Sequence, residues 1–351
     1  MPEGLTVVIT TVQEPTPSVR SLATRLEELD ATVLIVGDEK GPSSYEQPST
    51  ELITLEDQYR LPFALAHLLP TGHYARKNLG YLVAFSRGAS CIYETDDDNA
   101  PSDTWKMRSM RSSAQRVASR RWVNVYRMFT DQPIWPRGFP LELIADASTW
   151  AHPPDVPLEP VDAPIQQGLC DHSPDVDAIW RLVMDREFSF RRGPSVWIPP
   201  GSWCPFNSQS TWWWPPAYPL MYLPSHCTFR MTDIWRGFVA QRCLWELEAG
   251  LVFHAPEVDQ DRNRHDLSSD FEHEVPGYLY NQRITQTLAD LGLESGSGSV
   301  GDNLVRCYEA LVAEGFIPAD ELPLLHAWLT DVEGALGDRP ALRWPAQDTF
   351  P

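Results

Sequence analysis

The chain has 351 residues, 42% hydrophobic and 22% charged, enough apolar material to bury a large globular core. Its formal net charge of −20 argues against a general affinity for nucleic acid or anionic lipid. No stretch approaches a membrane span, and the six cysteines (91, 170, 204, 227, 243, 307) form no CxxC pair, which fits reduced thiols. Met1 to Leu5 lacks the basic start and apolar run of a signal peptide, so a soluble, cytoplasmic protein is expected. The 32 prolines imply long, fixed-path loops, and the 14 tryptophans imply many flat apolar surfaces.

Leu5 to Thr11 reads as a buried strand. Ser18 is predicted to cap a helix with Val19, Leu22, Leu26 and Leu29 on its apolar face, and Thr32 to Val36 is a second strand. This strand–helix–strand unit predicts a parallel sheet with a right-handed crossover. Short helices follow at Leu61 to Leu69 and His73 to Ser86. The second carries Arg76, Lys77 and Asn78 near its start, where basic side chains oppose the helix dipole. A bound anion such as a diphosphate would justify them, and plain solubility is the alternative.

Cys91 to Asn99 runs from a β-branched and aromatic strand into Asp96, Asp97 and Asp98. Three adjacent carboxylates need either water or a hard divalent cation such as Mg²⁺ or Mn²⁺, and the carboxyl edge of a sheet is where α/β folds bind ligands. A basic stretch, Ser102 to Arg121, and a strand at Trp122 to Tyr126 come next. Arg137 then sits on a Pro/Gly-rich loop from which it could reach phosphate.

Asp175 to Met184 reads as an amphipathic helix. Trp212, Trp213 and Trp214 are contiguous and cannot all face one core, so at least one is expected to be exposed, for sugar stacking or an interface. Asp233 stands at a helix start. Leu251 to Phe253 is a late strand leading to His254 and to the stretch Gln260 to His265, where a histidine could complete a metal site. After Gly277 the pattern is helical. It breaks at Ser295 to Ser299 and resumes at Asn303 to Glu314 and Ala319 to Leu336. A main domain over 1–292 and a helical extension over 300–351 are expected.

Several stretches, taken together, resemble the STELLO-like glycosyltransferases: Thr10-Thr11 with Gln13-Glu14-Pro15; Val36-Gly37-Asp38; His73 through Tyr81; Glu94 through Asn99; Pro205 through Gln209; Asp233 through Gly237; and Gln260 through His265. A more distant likeness, on Asp96 to Asp98, Arg137 to Pro140 and Thr232 to Trp235, is to the UDP-arabinopyranose mutase family. Plant STELLO proteins carry a membrane anchor ahead of this domain, and none is read here. The resemblance implies an α/β GT-A fold, a Rossmann-like mixed sheet flanked by helices. It would bind a nucleotide-diphospho-sugar with Mn²⁺ (or Mg²⁺) through an Asp-x-Asp motif.

On that resemblance Asp98 and Asp96 would be metal ligands, with His265 a late ligand and His254 second to it. Thr10, Thr11, Gln13, Gly37 and Asp38 would line the base and ribose pocket. Arg76 and Lys77 would meet the diphosphate, with Asn78 and Asp97 as further donor contacts. The implied reaction moves a sugar from the donor, a UDP-sugar by expectation, to a glycan or small-molecule acceptor. Asp233 would act as base, and Arg137 matches the reactive arginine of the mutase family, which keeps a pyranose/furanose mutase as the alternative. No nucleic-acid partner is expected, and an oligomer is left open.

Overall fold

The computed structural model describes residues 4–337 apart from 30, 119–120, 147–148, 150–155, 185 and 262–265. Strand β1 (Leu5–Thr10) leads through helix α1 (Pro17–Glu27) to β2 (Thr32–Val36), which lies parallel to β1 as the crossover rule requires. The cap of α1 is Thr16, not Ser18. Its hydroxyl accepts the Val19 N–H at 3.1 Å, and Pro17 follows at the first helical position, where its missing N–H costs nothing.

Strand β3 (Thr50–Ile53), the single turn α2 (Leu55–Gln58), helix α3 (Lys77–Ser86) and strand β4 (Cys91–Thr95) complete a parallel half-sheet of order β3-β2-β1-β4. Gly80 lets α3 lie close on it, since a Cβ there would sit 2.6 Å from Val8 and 2.7 Å from Val36 side-chain carbons. The chain continues through β5 (Asn99–Pro101), β6 (Arg111–Arg116), β7 (Glu159–Asp162), β8 (Ile165–Asp171), α4 (Ala178–Met184) and β9 (Val196–Ile198). It ends with β10 (Ser210–Trp213), α5 (Thr232–Trp245), β11 (Leu251–Gln260), α6 (Leu267–Ala289), α7 (Val300–Ala313) and α8 (Glu321–Leu336). From β4 the sheet runs on as β10-β8-β11-β9-β6-β7, with β10 antiparallel to both β4 and β8 and β5 paired to the end of β11. This is the mixed α/β sheet flanked by helices that the GT-A resemblance implies.

Each face of the sheet carries its own core. Val7, Ile9, Val33 and Ile35 face α1, while Val8, Leu34 and Val36 face the helices on the other side. That arrangement disposes of the three tryptophans, which are all buried. Trp212 points to the first core beside Tyr93 and Trp105, and Trp213 points to the opposite one beside Phe206. The expected exposed tryptophan is absent because strand alternation sends neighbours to two cores.

Two further expectations shift. Trp122 to Tyr126 is an isolated bridge at Trp122 followed by a 3₁₀ turn, not a strand. The late strand extends to Gln260, past a register shift between His254 and Val258 that hides its alternation. Helices α7 and α8 share the larger core with the sheet: Leu304, Leu311, Leu325 and Trp328 pack with Phe85 and Tyr218. Asp331 of α8 accepts the N–H groups of Ala64 and Leu65 at 3.0 and 2.8 Å. No described helix is long and apolar enough to cross a membrane.

Candidate active site

A cleft of about 460 Å³ opens at the carboxyl ends of β1, β2 and β4, walled by Thr10, Thr11, Asp38, Tyr74 and the three acids Asp96, Asp97 and Asp98. At its inner end a polar pocket of about 80 Å³ continues past Asp96, Gln260 and Arg137 to Asp175, Asn207 and Gln209.

The three acids do different work. Asp96 Oδ1 accepts the Tyr74 hydroxyl at 2.8 Å and the Lys77 ammonium at 3.0 Å. Asp97 Oδ2 accepts Thr11 Oγ1 at 2.5 Å and Gln13 Nε2 at 3.3 Å, and its carbonyl accepts the Thr16 hydroxyl. Asp97 thereby bolts the β1–α1 loop in place. Asp98 Oδ2 accepts from Gln260 Nε2 at 2.9 Å, while Oδ1 is buried with no hydrogen-bond partner. Burial, with Asp96 close by, pushes the Asp98 carboxyl up to about 7.

An unpartnered buried carboxylate oxygen beside a second carboxylate is a donor set that fits a hard divalent cation. Among the described residues no group of three His, Cys, Asp or Glu side chains is placed to hold a metal ion by itself. His265 lies outside the described residues. His254 does not reach the cleft wall: its ring is buried between Ser195 Oγ at 2.7 Å and Gln166 Oε1 at 2.9 Å, and burial holds its pKa well below the usual value.

The expected diphosphate cations are elsewhere. Arg76 is fully buried, its guanidinium donating to Gln58 Oε1 at 2.6 Å and to the Leu69 carbonyl at 3.1 Å. Lys77 is buried beneath the acids and donates to the Thr95 carbonyl at 2.7 Å as well as to Asp96. Asn78 pins the backbone of Leu223 through both its amide atoms at 2.9 Å. A helix start packed under a sheet edge brings its basic side chains into the core, where Arg76 meets an amide oxygen and a backbone carbonyl and Lys77 meets an acid. Gly37 lies off the cleft wall, its N–H donating to the Ile53 carbonyl. Asp38 does line the cleft, yet its carboxylate is engaged by the N–H groups of Glu39, Gly72 and His73.

Arg137 is the hub of the inner pocket. Nε and Nη2 donate to the two oxygens of Asp175 at 2.8 Å, and Nη1 and Nη2 donate to the two oxygens of Asp233 at 2.9 Å. The last N–H goes to the Arg230 carbonyl. All five guanidinium protons are thus engaged. Gly138, at φ +91°, turns the loop that delivers this arginine, and a Cβ there would lie 2.5 Å from Ile234. Burial pushes the Asp233 carboxyl up, but Arg137, with Arg236 and Arg230 beyond, outweighs it and holds the group below the usual carboxylate range. The Ser208 N–H adds a further bond to Asp233 at 3.2 Å.

No protein-family model matches the chain. It is 26% identical over 347 residues to the probable glycosyltransferase STELLO1 of Arabidopsis thaliana, and 24% identical over 348 residues to the probable glycosyltransferase STELLO2 of the same plant. The chain is similar to these two proteins along nearly its whole length. The alignments take in 93% of it and 44% of each relative, so it spans less than half the length of these curated relatives.

In this cleft, sequence reasoning missed Tyr74, Asp175, Gln260, Lys40 and Phe229. Tyr74 and Gln260 stood inside motifs quoted for the resemblance. Asp175 carried no local signal, because its meeting with Arg137, 38 positions earlier, is made only by the fold. Lys40 lines the cleft, and among the cleft-lining cations Arg137 and Arg230 are both paired with acids.

Proposed function

We propose that this chain is a divalent-metal-dependent glycosyltransferase that takes a sugar from a nucleotide-diphospho-sugar, with a UDP-sugar as donor, and passes it to a glycan or small-molecule acceptor. The reading is carried by one observation: Asp98 Oδ1, buried and unpartnered, stands beside Asp96 in a cleft at the carboxyl edge of a parallel half-sheet. The similarity to two proteins named probable glycosyltransferases points the same way.

Asp98 and Asp96 would hold the ion, which when bound supplies Lewis-acid stabilisation of the leaving diphosphate. Thr10, Thr11 and Asp38 form the wall proposed for the nucleoside, and Lys40 is the cleft cation proposed to face its phosphates. Asp97 and Lys77 act at one remove, by fixing the acidic turn. Asp233 is the proposed base for the acceptor hydroxyl: Arg137 keeps it ionised at neutral pH, and the same ion pair makes it a weak one.

The mutase reading is less well supported. A reactive arginine needs a free nitrogen, and in Arg137 every N–H is spent on Asp175, Asp233 or the Arg230 carbonyl. A panel of nucleotide-sugars tested by thermal shift with and without Mn²⁺, followed by NMR of donor turnover, separates the readings. Transferase chemistry gives metal-dependent stabilisation and a product only with acceptor or water. Interconversion of ring forms without acceptor would establish the mutase, and no stabilisation by any donor would remove both.

A further inference from the structure

The cleft is walled largely by acids, hydroxyls and basic side chains, yet two large apolar side chains stand open on it: Val12, 50% exposed, and Phe229, 53% exposed. Both are carried on anchored backbone. Val12 follows Thr11 and precedes Gln13, whose side chains are tied to Asp97. Phe229 lies in the 3₁₀ turn Phe229–Met231, which is pinned on both sides. Thr228 Oγ1 donates to the His273 carbonyl at 2.5 Å, and Arg230 bonds Glu274 at 2.7 to 2.9 Å, with Met231 buried behind.

The phenyl ring meets the Tyr74 ring edge-on, with centroids 5.7 Å apart and planes at 78°. A single edge contact leaves much of the ring facing solvent. An exposed aromatic on a fixed turn is stabilised by whatever removes its surface from water, so the arrangement favours a ligand that covers it. The neighbouring side chains say what kind. Arg230 and Asp233, one and four positions on, line both the cleft and the inner polar pocket with Arg137 and Gln260. A pyranose has this double character: a C–H face with partial positive charge, suited to the negative face of an aromatic ring, and a rim of hydroxyls suited to carboxylates and guanidinium groups.

We infer that Phe229 is the stacking platform for the acceptor sugar, with the hydroxyl rim turned toward Arg230 and Asp233, and that Val12 marks the opposite, nucleoside wall. The inference deepens the transferase reading and rests on it. It also replaces the tryptophans of 212–214 as the stacking surface, since those rings are buried.

The test uses labelled full-length chain on a microarray of neutral oligosaccharides in the presence of Mn²⁺ and UDP, with Phe229→Ala and Phe229→Trp alongside wild type. Calorimetry with Mn²⁺ and UDP alone is run on the same three proteins. Wild type and Phe229→Trp should hold a common set of saccharides, Phe229→Ala should lose them by tenfold or more, and UDP affinity should stay within about twofold throughout. Equal saccharide binding by Phe229→Ala, or no saccharide bound by wild type, overturns the platform. A tenfold fall in UDP affinity in Phe229→Ala also overturns it, because the ring would then belong to the base. Saccharide capture by a protein that consumes no donor would sink the transferase reading and leave the platform standing.

Discussion

Gln260 grips Asp98 from the far end of β11: its amide donates to Oδ2 at 2.9 Å, and the Asp261 N–H reaches the Asp98 carbonyl at 3.2 Å. The acidic turn is therefore held from two sides, by β11 through Asp98 and by the β1–α1 loop through Asp97. The buried, unpartnered oxygen of Asp98 is thus held in place before any ligand arrives, which is the preorganisation the proposed metal site would need.

Asp98→Asn should abolish Mn²⁺-dependent UDP binding, because an amide can keep the Gln260 contact with its oxygen but then puts a donor where the free acceptor stood. Gln260→Ala keeps both oxygens and loosens their aim, for an expected loss of about tenfold in metal affinity. Calorimetry reads both, and melting temperatures close to wild type would show that the fold is intact. Full UDP affinity in Asp98→Asn would remove the residue from the site.

Arg137→Ala should be among the most destabilising single changes in the cleft. It removes the guanidinium that bridges Asp175 and Asp233, both largely buried, and leaves Asp175 with Arg230, 4.0 Å away, as its nearest remaining cation among the described residues. Breaking a buried pair in this way costs about 3–5 kcal/mol. Adding Asp175→Asn and Asp233→Asn to the same variant should recover much of that loss in a denaturant titration, since the uncompensated charge is then gone. A single variant as stable as wild type would show that the three side chains do not form the unit described.

The first strand, helix and second strand were legible because each is amphipathic or buried at its own period, with Val19, Leu22 and Leu26 on one helical face. The acidic turn was legible because Cys91 to Thr95 is unmistakably a strand and three aspartates follow it. What escaped was set by the fold. Arg76 and Lys77 look like surface charges until α3 is packed against β1, and Asp175 is an ordinary loop acid until Arg137 arrives beside it. Strand β11 reads as ending at Phe253 because its register shift before Val258 breaks the alternation.

A chain ended at residue 292 should fail to fold into a stable monomer. Removing α7 and α8 strips Leu304, Leu311, Leu325 and Trp328 from the core they share with Phe85 and Tyr218. It also deletes Glu321, which accepts the N–H groups of Ser225 and His226 and the Tyr222 hydroxyl. The main domain then presents a large apolar face to water. Size-exclusion chromatography and near-UV circular dichroism should show aggregation or lost packing. A monodisperse 1–292 product with native-like signal would mean the C-terminal helices are a separable unit.

Asp177 offers a pH test away from the three cleft acids. It sits just ahead of α4, accepting the Trp180 N–H at 2.8 Å on one oxygen and Trp135 Nε1 at 2.5 Å on the other. Burial, with Glu274 adding to it and Arg230 working against it, pushes this carboxyl up to about 7. The folded state thus holds the proton more tightly than the unfolded chain, whose aspartate titrates near about 3.9. The stabilisation from that proton is present in full below the unfolded value and is lost as pH rises through about 7. Asp177→Asn mimics the protonated form at every pH and gives up one of the two accepted bonds, a penalty that does not change with pH. The melting temperature of Asp177→Asn minus that of wild type should therefore climb between pH 4 and pH 8, from negative toward zero or above. A difference that stays flat across that range would show that Asp177 is ionised in the folded protein at acid pH.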